Sequence, residues 1–302
     1  MFENILGNER NKEILKKTIE LSQISHSYIF WGTEGIGKKL IAMEFAKKIL
    51  CLNEKKENCN CKSCIEFNSN NNPDFSLIGA NDEKIKIEQI REMQRKIAEK
   101  PIISDKKVYI INDADKMTTE AQNCLLKTLE EPPEYITIIL ICPNENNLLS
   151  TIKSRCTRIY FEPIEIKNVK EYIIDNHIAE NVNKEVLELS QGSIGKALKI
   201  LEHQGLYENV EKILEHLSDR DLIDIISMSE EIYKSKEEIS SILEYMNVLA
   251  LKLSKNNITY INCIDKIEET KKRLKANSNY DMCIDNLLFN MWEEVNEKNN
   301  RS

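Results

Sequence analysis

The 302-residue chain has no apolar run long enough to cross a membrane, no excess of positive charge and no paired-cysteine framework. The first absence excludes a helical membrane span. The second argues against strong independent DNA binding: 42 Lys and Arg stand against 50 Asp and Glu, a formal net charge of −8, and nonspecific affinity for DNA comes largely from neutralising phosphates. Disulfides are not expected. No segment with signal-peptide character is read, and Cys124, Cys142, Cys156, Cys263 and Cys283 fall singly, as in a reducing, cytoplasmic setting. β-rich runs are also missing beyond Phe161. At 41% hydrophobic and 30% charged the chain is globular, with length for two or three domains.

What is present begins with Gly32-Thr33-Glu34-Gly35-Ile36-Gly37-Lys38, a phosphate-binding loop complete up to its lysine. Ser27 to Trp31 is a short β-branched and aromatic run ahead of it, and Lys38 to Leu50 carries Ile41, Phe45 and Ile49 at helical spacing behind it. Strand, loop and helix therefore follow in the order the chemistry requires. Gly32, Gly35 and Gly37 let backbone N–H groups turn onto phosphates, Lys38 reaches the outer phosphates, and the helix N-terminus adds partial positive charge. The next residue is Lys39, where a Ser or Thr would give an oxygen to Mg²⁺; an ammonium has no lone pair to give and repels the metal. The alternative is that Lys39 points outward and water fills the place.

A second strand, Lys107 to Ile111, ends in Asn112-Asp113-Ala114-Asp115. An ATPase of this class wants a carboxylate at that strand end for magnesium, and Asn112 is a neutral amide. Asp113 stands where related ATPases carry a glutamate as base and is a methylene short. Both departures point away from hydrolysis. Farther on, Thr119 and Gln122 have capping-box spacing at the start of a helix that Pro132-Pro133 ends. Tyr135 to Cys142 and Thr157 to Phe161 read as further strands, with Ser154-Arg155-Cys156 between them.

Four of the nine cysteines, Cys51, Cys59, Cys61 and Cys64, crowd directly after the loop helix. Zinc takes four soft ligands in a tetrahedron at about 2.3 Å, and a tight cysteine-rich turn with one more distant cysteine can supply them. Four thiolates leave no open position for substrate, so the metal would be structural. The alternative is reduced, unligated thiols.

Taken together, these residues resemble the bacterial clamp-loader subunits of DNA polymerase III, in the AAA+ class. The resemblance rests on Phe2 to Asn8, His26 to Phe30, the Lys107 to Met117 segment, Leu125 to Pro133 and Ser154-Arg155-Cys156, and covers roughly residues 1–200. It implies an α/β P-loop domain with a parallel sheet over residues 1–163, a four-cysteine zinc module near 51–64, a helical lid over 164–207 and an all-helical collar that holds subunits together over 208–302. The spacing C-x-C-x-x-C here is one residue shorter in its first gap than the family form, which leaves the roles of Cys59 and Cys61 open. Two subunit types share these motifs. Lys39, Asn112 and Asp113 point to the non-hydrolysing delta-prime type rather than the ATP-hydrolysing gamma/tau type.

The same resemblance gives Arg155 the role of an arginine finger reaching ATP on a neighbouring subunit, and Lys196 that of a basic residue sensing nucleotide from the lid. An ion pair within the chain for Arg155 and a solvated lysine for Lys196 are the alternatives. The partners implied are gamma/tau and delta subunits, the sliding clamp and primed DNA within the complex. Two other functions stay open: an active ATPase with unusual metal geometry, and a zinc-bearing nucleic-acid-binding protein acting alone.

Overall fold

The computed structural model describes residues 1–53, 59–79, 84–179 and 181–296. The chain divides into two compact units, one of residues 1–165 with 193–195 and the other of residues 166–192 with 196–302.

The first unit is built on a five-stranded sheet of β1 (Ser27–Trp31), β2 (Phe75–Ile78), β3 (Lys107–Ile111), β4 (Ile136–Cys142) and β5 (Thr157–Tyr160). The order is β2-β3-β4-β1-β5 and every pairing is parallel. Parallel strands need crossovers and are covered on both faces, which explains why β3 and β4 are buried at every residue. Side-chain alternation splits the core in two. Tyr28, Phe30, Val108, Ile110, Ile139 and Ile141 join residues of α1 (Glu9–Glu20), α2 (Lys38–Ile49) and α3 (Lys62–Asn68). Ile29, Tyr109, Ile111, Ile138 and Leu140 pack on the other face against α4 (Ile87–Ile97), α5 (Thr119–Glu130) and α6 (Ser150–Lys153).

Four strands lie within a residue of the bounds expected from sequence. β2 was not anticipated. It is a four-residue edge strand placed by pairing Phe75 with Val108, and it has neither a long apolar run nor clean alternation of its own. The expected capping box is corrected: Thr118, in extended conformation, caps α5 by accepting from the Ala121 N–H at 3.2 Å, while Thr119 is already helical. Gln122 is buried and tied elsewhere. Its amide donates to the Asn147 carbonyl at 3.1 Å and accepts from the Leu149 N–H at 2.9 Å, fixing α5 to the approach to α6.

The second unit is helical: α7 (Ile166–Asp175), α8 (Lys184–Ser190), most of α9 (Ile194–Glu202), α10 (Gln204–Glu215), α11 (Leu222–Met228), α12 (Glu230–Lys234), α13 (Ile239–Leu253), α14 (Tyr260–Lys275) and α15 (Tyr280–Asn296). Leu243, Met246, Leu249 and Ala250 of α13 are buried, as their spacing requires. In α11 only Ile225 is buried, and Ile223 is 75% exposed. The Tyr260 hydroxyl donates to the Leu214 carbonyl, and the Trp292 indole N–H to that of Arg220, each at 2.9 Å. Among the described residues no helix is long and apolar enough to cross a membrane.

Asp74, 2% exposed just before β2, accepts from the backbone N–H groups of Ile102, Ile103 and Ser104 at 2.7, 2.7 and 2.8 Å. Removing that carboxylate strands three donors in a loop that leads into β3. Asp74→Ala is therefore expected to lower stability by about 3 kcal/mol in a urea unfolding titration, and a loss under about 1 kcal/mol would mean that water replaces the carboxylate.

Candidate functional site

All five strands point the same way, so the loops after β1, β3 and β4 meet at one edge of the sheet. Gly32 begins the first of them at φ 142°, and a Cβ there would lie 2.2 Å from the Phe161 carbonyl oxygen. No other residue fits. Gly35 and Gly37 also have positive φ, and Gly37 opens α2 without a side-chain cap, which leaves the first N–H groups of the helix facing the loop. The Gly195 N–H, also in this unit, donates to the Gly35 carbonyl at 3.0 Å; a Cβ on Gly195 would come within 2.9 Å of the Gly35 Cα.

Lys38 is buried, and its ammonium donates to the carbonyls of Gly32 and, at 2.7 Å, Thr33. Burial lowers its pKa, opposed by the nearby Cys142, Glu34, Asp113 and Asp115. Cys142 and Asp115 had not been singled out in the sequence. The Cys142 thiol, at the end of β4, is pushed up to about 12 by burial and then by Asp115, with Lys38 opposing. Burial also raises Asp115, with further contributions from Asp113 and Glu34, and its Oδ1 is buried without a hydrogen-bond partner. Lys39 is exposed. Asn112 directly follows β3, its backbone N–H donating to the Ile78 carbonyl at 2.8 Å, and Asp113 comes next in left-handed conformation, 3.5 Å from the Lys116 ammonium.

Arg155 lies elsewhere. β5 pairs Thr157 with Tyr28, so the residues before Thr157 reach the sheet beside the start of β1, and the Ser27 hydroxyl donates to the Arg155 carbonyl at 2.9 Å. The loop beginning at Gly32 leaves the far end of β1, roughly five residues or about 16 Å along the strand. Arg155 Nη2 pairs with Glu130 Oε1 at 2.8 Å and Nη1 donates to the Thr151 carbonyl at 2.9 Å. Lys196 belongs to the second unit, where its ammonium pairs with Glu244.

The cysteines form a second site. The Sγ atoms of Cys51, Cys59, Cys61 and Cys64 all lie within 4.8 Å of one another, so Cys59 and Cys61 both join the group despite their short spacing. Residues 54–58 of the expected module lie outside the described residues. A tetrahedral Zn–S₄ centre with bonds of about 2.3 Å brings its sulfurs to similar separations, and the cluster could bind such an ion. Against the effect of burial, backbone N–H groups of Cys64 and Leu52 lower the Cys61 thiol to about 6. Burial and the neighbouring sulfurs raise Cys64, and burial foremost raises Cys51.

A buried polar network holds the two ends of this cluster. The Ser104 hydroxyl donates to the Leu50 carbonyl at 2.6 Å and meets the Ser63 hydroxyl at 3.0 Å; the Asn72 amide donates to both the Ser63 carbonyl and hydroxyl at 2.9 Å. Leu50 and Ser63 adjoin Cys51 and Cys64. Nothing in the spacing of Ser63, Asn72 and Ser104 connects them.

Residues 7–165 match the family described as DNA polymerase III, delta subunit. The chain is 32% identical to the delta-prime subunit of DNA polymerase III from Bacillus subtilis over 206 residues, 68% of this chain and 62% of that protein. It is 34% identical to the gamma/tau subunit of Mycoplasma genitalium over 220 residues, 70% of this chain and 37% of that one. It thus spans less than two thirds of the length of either relative. A gamma-subunit-related protein from Thermotoga maritima shares the fold, with a TM-score of 0.55 at 21% identity over 93% of this chain and 99% of its own. The chain belongs to the bacterial DNA polymerase III clamp-loader subunits of the AAA+ class.

Proposed function

We propose that this chain is a delta-prime-type clamp-loader subunit, a non-hydrolysing member of an assembly with gamma/tau and delta subunits that loads the sliding clamp onto primed DNA. The observation that carries the reading is the position of Arg155. It stands at the opposite edge of the sheet from the chain's own phosphate loop, about 16 Å away along β1, so its guanidinium can serve only an anion outside this site. A neighbour's ATP is the anion the family provides. Arginine fingers contribute on the order of 10³ to 10⁵ in rate by stabilising charge on the transferring phosphoryl group.

The chain's own loop supports the other half of the reading. Lys38 and the glycines remain able to cradle phosphate, whereas Lys39 and Asn112 bring no oxyanion or hydroxyl to a magnesium ion at their positions. The nearby Glu34, Asp113 and Asp115 favour the charged form of Lys38 against its burial. The runner-up, a hydrolysing gamma/tau-type subunit, is favoured by the comparable identity to that class. We assign the cysteine cluster a structural zinc ion, the helices over 164–207 the part of a lid with Lys196 at its basic position, and those from 208 onward a subunit-joining collar.

Purified without chelator, the protein is expected to carry one zinc per chain by elemental analysis, and Cys64→Ser to lower that content and the unfolding midpoint together; a metal-free, fully stable protein would remove the zinc site. Incubated alone with ATP and Mg²⁺, the chain should release no phosphate above a Lys38→Ala control. Steady turnover of about 1 per second or faster would instead establish the hydrolysing subunit. In a loader reconstituted with the partner subunits, Arg155→Ala should reduce DNA-stimulated ATP turnover at the adjoining site by about 10³. Unchanged turnover and clamp loading would refute the finger.

A further inference from the structure

Arg155 is held more closely than an exposed finger needs for folding. Its carbonyl is bound by the buried Ser27 hydroxyl at 2.9 Å, its Nη1 by the Thr151 carbonyl at 2.9 Å and its Nη2 by Glu130 Oε1 at 2.8 Å. The side chains of Arg155 and Glu130 are 35% and 50% exposed. An ion pair so open to water adds about 0–1 kcal/mol to stability, while immobilising an arginine costs about 2 kcal/mol of rotamer entropy. The arrangement therefore contributes little to the fold. What it supplies is direction: the carbonyl and the carboxylate engage different guanidinium nitrogens, and two contacts on a planar fork define its orientation where one would leave it free to rotate.

Glu130 is itself well placed to orient. It is the last residue of α5, ahead of Glu131 and Pro132, and the buried Gln122 fixes that helix to the segment 147–149 that leads into α6 and Thr151. Both anchors of the guanidinium thus belong to elements locked to each other.

We infer that Glu130 is the positioning residue of Arg155, presenting the guanidinium preorganised for the γ-phosphate on an adjacent subunit. This rests on the proposal that Arg155 acts in trans. Glu130 touches no substrate; it acts by reducing the number of orientations that Arg155 samples before the neighbour's phosphate arrives. Misplacing a catalytic group by about 1 Å can cost on the order of 100-fold in rate, and loss of one of two anchors is a smaller displacement.

The test uses the complete reconstituted loader with only this subunit altered, and follows DNA-stimulated ATP turnover against ATP concentration. Glu130→Ala is expected to lower kcat about tenfold with KM for ATP unchanged, because the lost interaction matters in the transition state. Glu130→Gln keeps an acceptor oxygen in place and should recover kcat to within about threefold of the unaltered loader, a neutral hydrogen bond being roughly half as strong as a charged one. Thermal melting of both variants should match the parent chain. If Glu130→Ala leaves kcat unchanged while Arg155→Ala is impaired, the positioning role fails and the finger stands. If Arg155→Ala is also unimpaired, the trans reading fails and takes this inference with it. A faster Glu130→Ala loader would show that the carboxylate restrains Arg155, and would overturn the inference, as would a change confined to KM or a Gln variant as slow as the Ala variant.

Discussion

The parallel pairing of β1 between β4 and β5 sets the position of everything else in the first unit. Because the strands share one direction, the ends of β1, β3 and β4 converge on Lys38, Asp113, Asp115 and Cys142, while the start of β5 delivers Arg155 to the opposite edge. One chain therefore carries the glycine-rich loop at one edge of a sheet and, at the other, a partly exposed arginine held by Glu130 and the Thr151 carbonyl. In the proposed assembly that polarity lets Arg155 face the ATP of a neighbouring subunit while the loop at Gly32 stays on the other edge. The proposed division of labour, a disabled cradle with a retained arginine, needs no change in this geometry, only the substitution of residues such as Lys39 and Asn112.

Glycine is indispensable at the start of the cradle for a steric reason. The backbone of Gly32 lies against the Phe161 carbonyl, just after β5, so the segment that follows Arg155 also backs the glycine-rich loop. The buried hydroxyl–amide network at Leu50, Ser63, Asn72 and Ser104 does comparable work for the cysteine cluster. Each polar group in it is satisfied, which is what permits it to be buried, and it places the first and last cysteines without calling on the segment between them.

Much of the α/β core was legible from sequence because its signals are local. β1, β3, β4 and β5 are runs rich in β-branched and aromatic residues, and α2 carries Ile41, Phe45 and Ile49 on one face. The edge strand β2 lacked such a signal and exists through its neighbour β3. Thr118 rather than Thr119 caps α5, since cap identity depends on the backbone conformation of one residue, which spacing alone leaves ambiguous by a position. Gln122, expected in a capping box, is a buried cross-brace, a role set by partners 25 and 27 residues away.

By itself the sequence determined the phosphate loop, the crowding of four cysteines, the departures at Lys39, Asn112 and Asp113, and the Ser154-Arg155-Cys156 triplet, because each is a matter of residue type at short range. Only the tertiary structure decided that Cys59 and Cys61 both face the other two sulfurs, that Asp115 and Cys142 join Lys38, and that Glu130 holds Arg155. The cysteine geometry depends on the buried Leu50, Ser63, Asn72 and Ser104 network, and the other two on segments distant in sequence that are brought together as the sheet buries its apolar faces, which residue spacing does not reveal.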